Sequence, residues 1–310
     1  MRLIFMGTPD FAVFSLNALI EAGHEIVAVV TQPDKPKGRG YTLTPPPVKV
    51  CAAERGIPVY QPSTLKDEAF ASLLAELNPE AIVVVAYGKI LPESVLRFPK
   101  YGCINVHGSL LPEYRGAAPM QRAIMDGKAV TGITTMYMDV GLDTGDMLLK
   151  KEIAIEENDN FETIHDKLGV CGGDLIVQTM EMLQSQTAPR IPQDESLATY
   201  AAKITKDDCR LTFDADATEV HNRIRGLSPV PLSFTHTHNG KLLKITESRR
   251  TSDEKSHSCP GEILSLDGGI TVACRTGSVV LTGVLPEGKS RMSAEDFIRG
   301  RRVQIGDVLK

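Results

Sequence analysis

The sequence predicts an α/β protein in two parts: an open, mostly parallel sheet flanked by helices, then a small β-barrel. Two observations place the sheet in the first half. Short apolar runs alternate there with stretches of helical period, and residues 81–86, Ala-Ile-Val-Val-Val-Ala, are apolar throughout, as suits a central strand covered on both faces. A third places the barrel: beyond residue 200, short strand-like runs are separated by Asn239-Gly240 and Asp267-Gly268-Gly269, which favour tight hairpin turns.

Taken in order, residues 3–6 read as a buried strand, Gly7-Thr8-Pro9-Asp10 as a tight turn, residues 11–22 as an amphipathic helix stopped by Gly23, and residues 25–31 as the next strand. This start is Rossmann-like, but a single Gly in the first turn is not the Gly-x-Gly-x-x-Gly of a dinucleotide site, so no such cofactor follows. Residues 32–47 are too long, too basic and too rich in Gly and Pro for a mere connection. Lys35, Lys37 and Arg39 give this stretch three positive charges with no acid among residues 35–47. That suits a clamp without structure of its own that orders on a polyanion, and equally a solvated surface loop.

Helices are expected at residues 48–55 and 67–77, a helix from Met120, strands at 133–138 and 147–155, and a long helix at 161–183. Gly172-Gly173 inside that helix predicts close packing or a kink, since each Gly costs about 1 kcal/mol relative to Ala. The polar, Pro-containing stretch that follows reads as a linker, dividing the chain into residues 1–188, a linker at 189–204, and residues 205–310. In the last part helices are expected near 218–225 and 294–299, among hairpins.

Composition bounds the partners. The 310 residues exceed the ~100 to 200 of a common domain, and 42% hydrophobic with 24% charged residues is ordinary for a globular protein. No apolar run approaches a membrane span and the first residues are too weakly apolar for a signal peptide, so a cytoplasmic, membrane-free protein is expected, and a monomer. The 6 cysteines form no Cys-x-x-Cys pair and read as reduced thiols. His236 with His238 and His257 with Cys259 have ligand spacing, but the second pair sits in a polar run, and no metal site is expected. Net charge is −5, yet residues 203–310 carry 17 Lys and Arg against 14 Asp and Glu, leaving −8 for the first 202 residues. Any nucleic-acid contact is therefore local, with Lys203, Lys206, Arg210, Arg223, Arg225, Arg301 and Arg302 as candidates for phosphate; a solvated barrel face explains the same excess.

The chemistry concentrates between Gly102 and Pro119. Cys103, Ile104 and Val106 alternate with Asn105 and His107, which puts an amide and an imidazole on one face of a short strand. Gly108, Pro112, Gly116 and Pro119 then force a constrained loop at the strand's carboxyl end, where ligands bind in open α/β sheets. Asn105 and His107 can hold a developing oxyanion, and Asp143 supplies a carboxylate to orient the imidazole and favour its charged form. No nucleophile stands among the three: Gly-x-Ser-x-Gly around Ser109 fails at His107 and Leu111, and Asp143-Thr144-Gly145 occurs once, where an aspartic protease needs two carboxylates. The pattern predicts transfer of an acyl-type group between two substrates without a covalent enzyme intermediate.

These residues resemble the signature of the folate-dependent formyltransferases: Asn105-x-His107, Ser-Leu-Leu-Pro-x-Tyr-Arg-Gly at residues 109–116, and Asp143 in Gly-Leu-Asp-Thr-Gly. Met6-Gly7-Thr8-Pro9-Asp10-Phe11 and the loop at residues 33–40 further resemble those members whose acceptor is the α-amino group of initiator methionyl-tRNA, and the resemblance spans essentially the whole chain. It implies that 10-formyltetrahydrofolate is the co-substrate, that Asn105, His107 and Asp143 are the catalytic set, and that Ser109, Leu110, Leu111 and Pro112 form one wall of the folate site. Tyr87, Gly88, Ile90 and Leu91 are implied as the second wall, with backbone groups meeting the pterin. It also implies an OB-like barrel that binds tRNA, with Lys203 and Lys206 as contacts, and a loop bearing Lys35, Lys37 and Arg39 that wedges into the acceptor stem. Two alternatives stay open. One is the same chemistry on a ribonucleotide or nucleotide-sugar amine, whose enzymes are implied to lack this second part; the other is a non-catalytic folate- or RNA-binding protein.

Overall fold

The computed structural model describes residues 1–37, 42–252 and 254–310. The chain divides into two compact units, Met1–Gly116 with Thr131–Ile153 and His165–Tyr200, and Ala117–Val130 with Ala154–Ile164 and Ala201–Lys310. Two excursions from the first half of the chain thus belong to the second unit. No local signal marks them, because what holds them lies far along the chain: helix Pro119–Met125 packs against helix Ala217–Gly226, and Arg225 donates to the carbonyls of Glu156 (3.1 Å) and Asp159 (2.9 Å). Those bonds engage Nη1 of Arg225, one of the phosphate candidates, within this unit.

The first unit is built on a seven-stranded sheet in the order Met147–Ala154, Val130–Tyr137, Cys103–His107, Ala81–Val85, Arg2–Gly7, Glu25–Val30, Val59–Tyr60. The last five run parallel, and Val130–Tyr137 lies antiparallel to Cys103–His107. Ala81–Val85 is buried at every position, as its unbroken apolar run requires. Gly7 ends the first strand where a Cβ would come within 2.8 Å of both Ala12 Cβ and the Phe5 ring, so the tight turn into helix Asp10–Glu21 needs glycine.

Helix Phe161–Gln184 is continuous through Gly172-Gly173. The glycines serve close packing: a Cβ at Gly172 would lie 3.1 Å from Val106 Cγ1, and one at Gly169 only 2.5 Å from the Phe14 ring. The basic stretch after the second strand departs from expectation. Lys35–Lys37 pairs antiparallel with Thr42–Thr44, so residues 32–47 carry a hairpin of their own. Its base is fastened by Lys49 Nζ, 2.8 Å from both Asp34 carboxylate oxygens and from Gln61 Oε1, while Gln61 Nε2 donates to Asp34 and to the Gln32 carbonyl. Holding the ends together lowers the entropy of pairing the strands. Arg39, the remaining basic residue of this stretch, lies outside the described residues.

In the second unit the strands follow the order Ser233–His236, Leu242–Arg250, Ser278–Pro286, Ile270–Ala273, Ile263–Ser265, all neighbours antiparallel, with Met292–Ser293 added to Ser278–Pro286. The chain's last residues link the two edges: Lys310 exchanges backbone hydrogen bonds with His236 (2.7 and 2.9 Å), and Val308 bridges Glu262. Leu243, Ile245, Val272, Val279, Leu281 and Phe297 fill the interior. This is the small barrel that the hairpin signals predict, OB-like as the family resemblance implies.

Candidate active site

The strand Cys103–His107 delivers the two predicted side chains to its carboxyl end, where Asn105 is half-buried and His107 is buried. Asn105 has no side-chain hydrogen-bond partner among the described residues, so its amide is available to a ligand. His107 is committed on one side: Nε2 lies 3.0 Å from the Tyr114 carbonyl. A carbonyl can only accept, which puts a proton on Nε2 and leaves Nδ1 as the nitrogen that gains or loses one. Nδ1 faces Asp143 Oδ2 at 3.7 Å, and that oxygen accepts from the Gly116 backbone N–H at 2.8 Å. Tyr114 and Asp143, the residues whose oxygens flank the imidazole, both sit in the left-handed region (φ 59° and 52°). Strain of this kind persists only where surrounding bonds over-determine it.

The loop after the strand has such bonds. Ser109 Oγ donates to the Glu113 carbonyl (2.6 Å), and Thr134, opposite His107 in the sheet register, accepts from the Leu111 N–H (3.1 Å) and donates to the Ser109 carbonyl (2.7 Å). Lys150 donates to the Leu111 carbonyl, the Leu111–Pro112 bond is cis, and burial lowers the Lys150 pKa. Ser109 is fully buried, and Leu111 packs with Met136 and Met147, so their side chains shape the loop from beneath while Leu110 and Pro112 stay partly exposed. Cys103, on the same strand, is no nucleophile: burial pushes its thiol up to about 12.

In the opposite predicted wall, Tyr87 and Leu91 turn their side chains into the core, where burial pushes the Tyr87 phenol up to about 12. The Tyr87 carbonyl is taken by Thr8 Oγ1 and Gln32 Nε2, both at 3.1 Å. Gly88, at φ 82°, and Ile90, 88% exposed, are what this turn presents to a ligand. Lys35 is exposed on the hairpin, and Lys203 and Lys206 are exposed in the second unit, the latter opening the short helix Lys206–Cys209. Among the described residues no group of three or more His, Cys, Asp or Glu is placed to hold a metal, and no helix is long and apolar enough to cross a membrane.

A second layer stands behind Asp143 that motif reading assigned no role. Arg115, its side chain fully buried, forms a bidentate pair with Glu195 (2.8 and 2.9 Å) and donates to Gln193 Oε1 (2.8 and 3.0 Å). Gln193 Nε2 in turn donates to the carbonyls of Asp143 and Gly145, each at 2.8 Å. Arg115 stood within the quoted motif, and a buried Arg demands such partners; Gln193 sits in the stretch read as a linker, with no local signal to single it out.

The formyl transferase family model matches residues 1–180, and the model of the formyl transferase C-terminal domain matches residues 203–302. A methionyl-tRNA formyltransferase of Desulforamulus reducens is 48% identical over 310 residues, spanning 100% of this chain and 98% of its own length, and one of Pelotomaculum thermopropionicum is 49% identical with the same coverage. Among solved structures, an N-formyltransferase from Helicobacter canadensis, crystallised with folinic acid and dTDP-3-aminofucose, superposes with a TM-score of 0.68 at 18% identity over 91% of this chain and 98% of that one, a likeness of fold. With both family models matched and near-half identity along the full length, the chain belongs to the methionyl-tRNA formyltransferases of the formyl transferase family.

Proposed function

We propose that the chain transfers the formyl group of 10-formyltetrahydrofolate to the α-amino group of initiator methionyl-tRNA. The carrying observation is the convergence of Asn105, His107 and Asp143 at the end of one sheet, with the Asn105 amide unengaged among the described residues and a single His107 nitrogen facing the carboxylate. The amine attacks the formyl carbon. Asn105 and protonated His107 stabilise the tetrahedral oxyanion, and Asp143 holds the imidazole charged and, through water, assists proton movement from the amine to the departing N10. Because Nε2–H is held by the Tyr114 carbonyl, Nδ1 is the atom that serves the reaction.

In this reading residues 205–310 bind the tRNA, the basic hairpin meets its acceptor stem, and residues 87–91 and 109–112 bound the folate. The near-half identity to methionyl-tRNA formyltransferases over the full chain supports this acceptor over a nucleotide-sugar amine. The test is to incubate the protein with 10-formyltetrahydrofolate and, in separate reactions, charged initiator tRNA, free methionine and glycinamide ribonucleotide. Formylation of the tRNA-linked amine alone is expected; formylation of the ribonucleotide in its place would overturn the assignment.

A further inference from the structure

Asp143 has to hold a left-handed backbone and aim its carboxylate at His107, yet residues 139–142 before it are exposed and cannot be fixed by burial. Two anchors do the work. The Gly116 N–H binds the carboxylate, and the Gln193 side chain binds the loop's backbone at Asp143 and Gly145. Gln193 is saturated: both amide hydrogens go to these carbonyls, and its oxygen accepts two bonds from Arg115. Arg115 is the residue before Gly116, so one dipeptide reaches Asp143 twice, through the Gly116 backbone and through the Arg115 guanidinium by way of Gln193. The buried guanidinium is neutralised by Glu195, so the clamp carries no unpaired charge. The adjoining chain is fixed as well, by backbone bonds from Arg115 to Thr199 (2.9 Å) and between Met147 and Ile191 (2.8 and 2.9 Å).

We propose that Gln193, oriented by Arg115 and Glu195, is a positioning residue that sets the Asp143 carboxylate against His107. This rests on the catalytic reading of Asp143 above. A plain anchoring role for residues 189–199 predicts lost stability; positioning predicts lost turnover.

Gln193→Glu separates the two, because it keeps an oxygen for Arg115 but removes the N–H donors and sets a carboxylate against two carbonyls. In formylation of initiator methionyl-tRNA, kcat is expected to fall about 10- to 100-fold, the scale of an ångström-level displacement of a catalytic group, with KM for folate and tRNA within about 2-fold of wild type. Combined with Asp143→Asn, the loss should exceed that of Asp143→Asn alone by no more than about 3-fold, since a positioning residue has nothing left to position. If Gln193→Glu does not fold, Gln193→Met, apolar and of similar length, takes its place in the same cycle. Wild-type kcat in the Gln193 variant beside a crippled Asp143→Asn overturns the positioning role and leaves Asp143 catalytic. Fully multiplicative losses overturn it equally. Wild-type kcat in Asp143→Asn sinks the catalytic reading itself.

Discussion

At the scale of single residues, the proposed site leaves two groups uncommitted. Among the described residues the Asn105 amide has no partner and His107 Nδ1 faces only a carboxylate at 3.7 Å, whereas the groups around them are hydrogen-bonded into place. A donor held ready costs no reorganisation when charge develops. Asn105→Ala is therefore expected to lower kcat by about 10² to 10³ with substrate binding little changed, the range for losing one oxyanion donor, read from steady-state kinetics on charged tRNA. His107 and Asp143 act as a pair in the proposed mechanism. Replacing both should cost barely more than the worse single replacement, and strictly additive losses would show that they work apart.

At the scale of elements, helix Phe161–Gln184 shows what its glycines are for. With 2.5 Å between a Cβ at Gly169 and the Phe14 ring, Gly169→Ala forces helix and ring apart, and a loss of about 1 to 3 kcal/mol is expected, seen as a lower urea midpoint at unchanged slope. In the second unit, helix Pro119–Met125 is tied to the chain beyond residue 200 by Arg122 Nη1, 2.9 Å from Asp208 Oδ1. The Arg122 hydrogen bond, helped by the N–H and hydroxyl of Thr205, holds the Asp208 carboxyl far below the usual carboxylate range. A depressed folded-state pKa contributes stability that is present above the unfolded value of 3.8 and lost as pH falls below it. Asp208→Asn should thus cost about 1 to 2 kcal/mol at pH 7, and the gap to wild type should begin to narrow below about pH 4 and go on narrowing as pH falls toward the depressed folded-state value, followed by denaturant melts across pH.

At the scale of the whole molecule, the chain does not partition at its linker. Residues 189–200 supply Gln193, Glu195 and Thr199 to the first unit, and helix Pro119–Met125, early in the chain, shares the second unit with helix Ala217–Gly226, where a Cβ at Gly226 would stand 2.8 Å from Met125. A fragment ending near Pro189 is consequently expected to lose its cooperative thermal transition, measured by circular dichroism. A sharp transition near that of the full chain would mean that residues 1–189 fold without these partners.

How much of this was legible varied with the distance over which the causes act. Strands such as Ala81–Val85, helices such as Glu68–Leu77 and the turn at Asn239-Gly240 followed from apolar period and turn chemistry, which operate within a few residues. The placing of Asn105 and His107 on one face followed from the two-residue repeat of a strand alone. Gly172-Gly173 was ambiguous, because whether a missing side chain means a bend or a neighbour depends on what lies opposite, and only the approach of Val106 decides for a neighbour. The pairing of Lys35–Lys37 with Thr42–Thr44 was missed because the groups that fasten its base, Lys49 and Gln61 on Asp34, lie outside the stretch that forms it. What the sequence by itself determined was the order of elements and the chemical groups of the site, since both are written in local period and residue type. What only the tertiary structure decided was which distant groups meet: the 3.7 Å approach of His107 to Asp143, and the buried Arg115 carried through Gln193 to the Asp143 backbone. Such meetings depend on loop closure across many residues, and no local pattern records them.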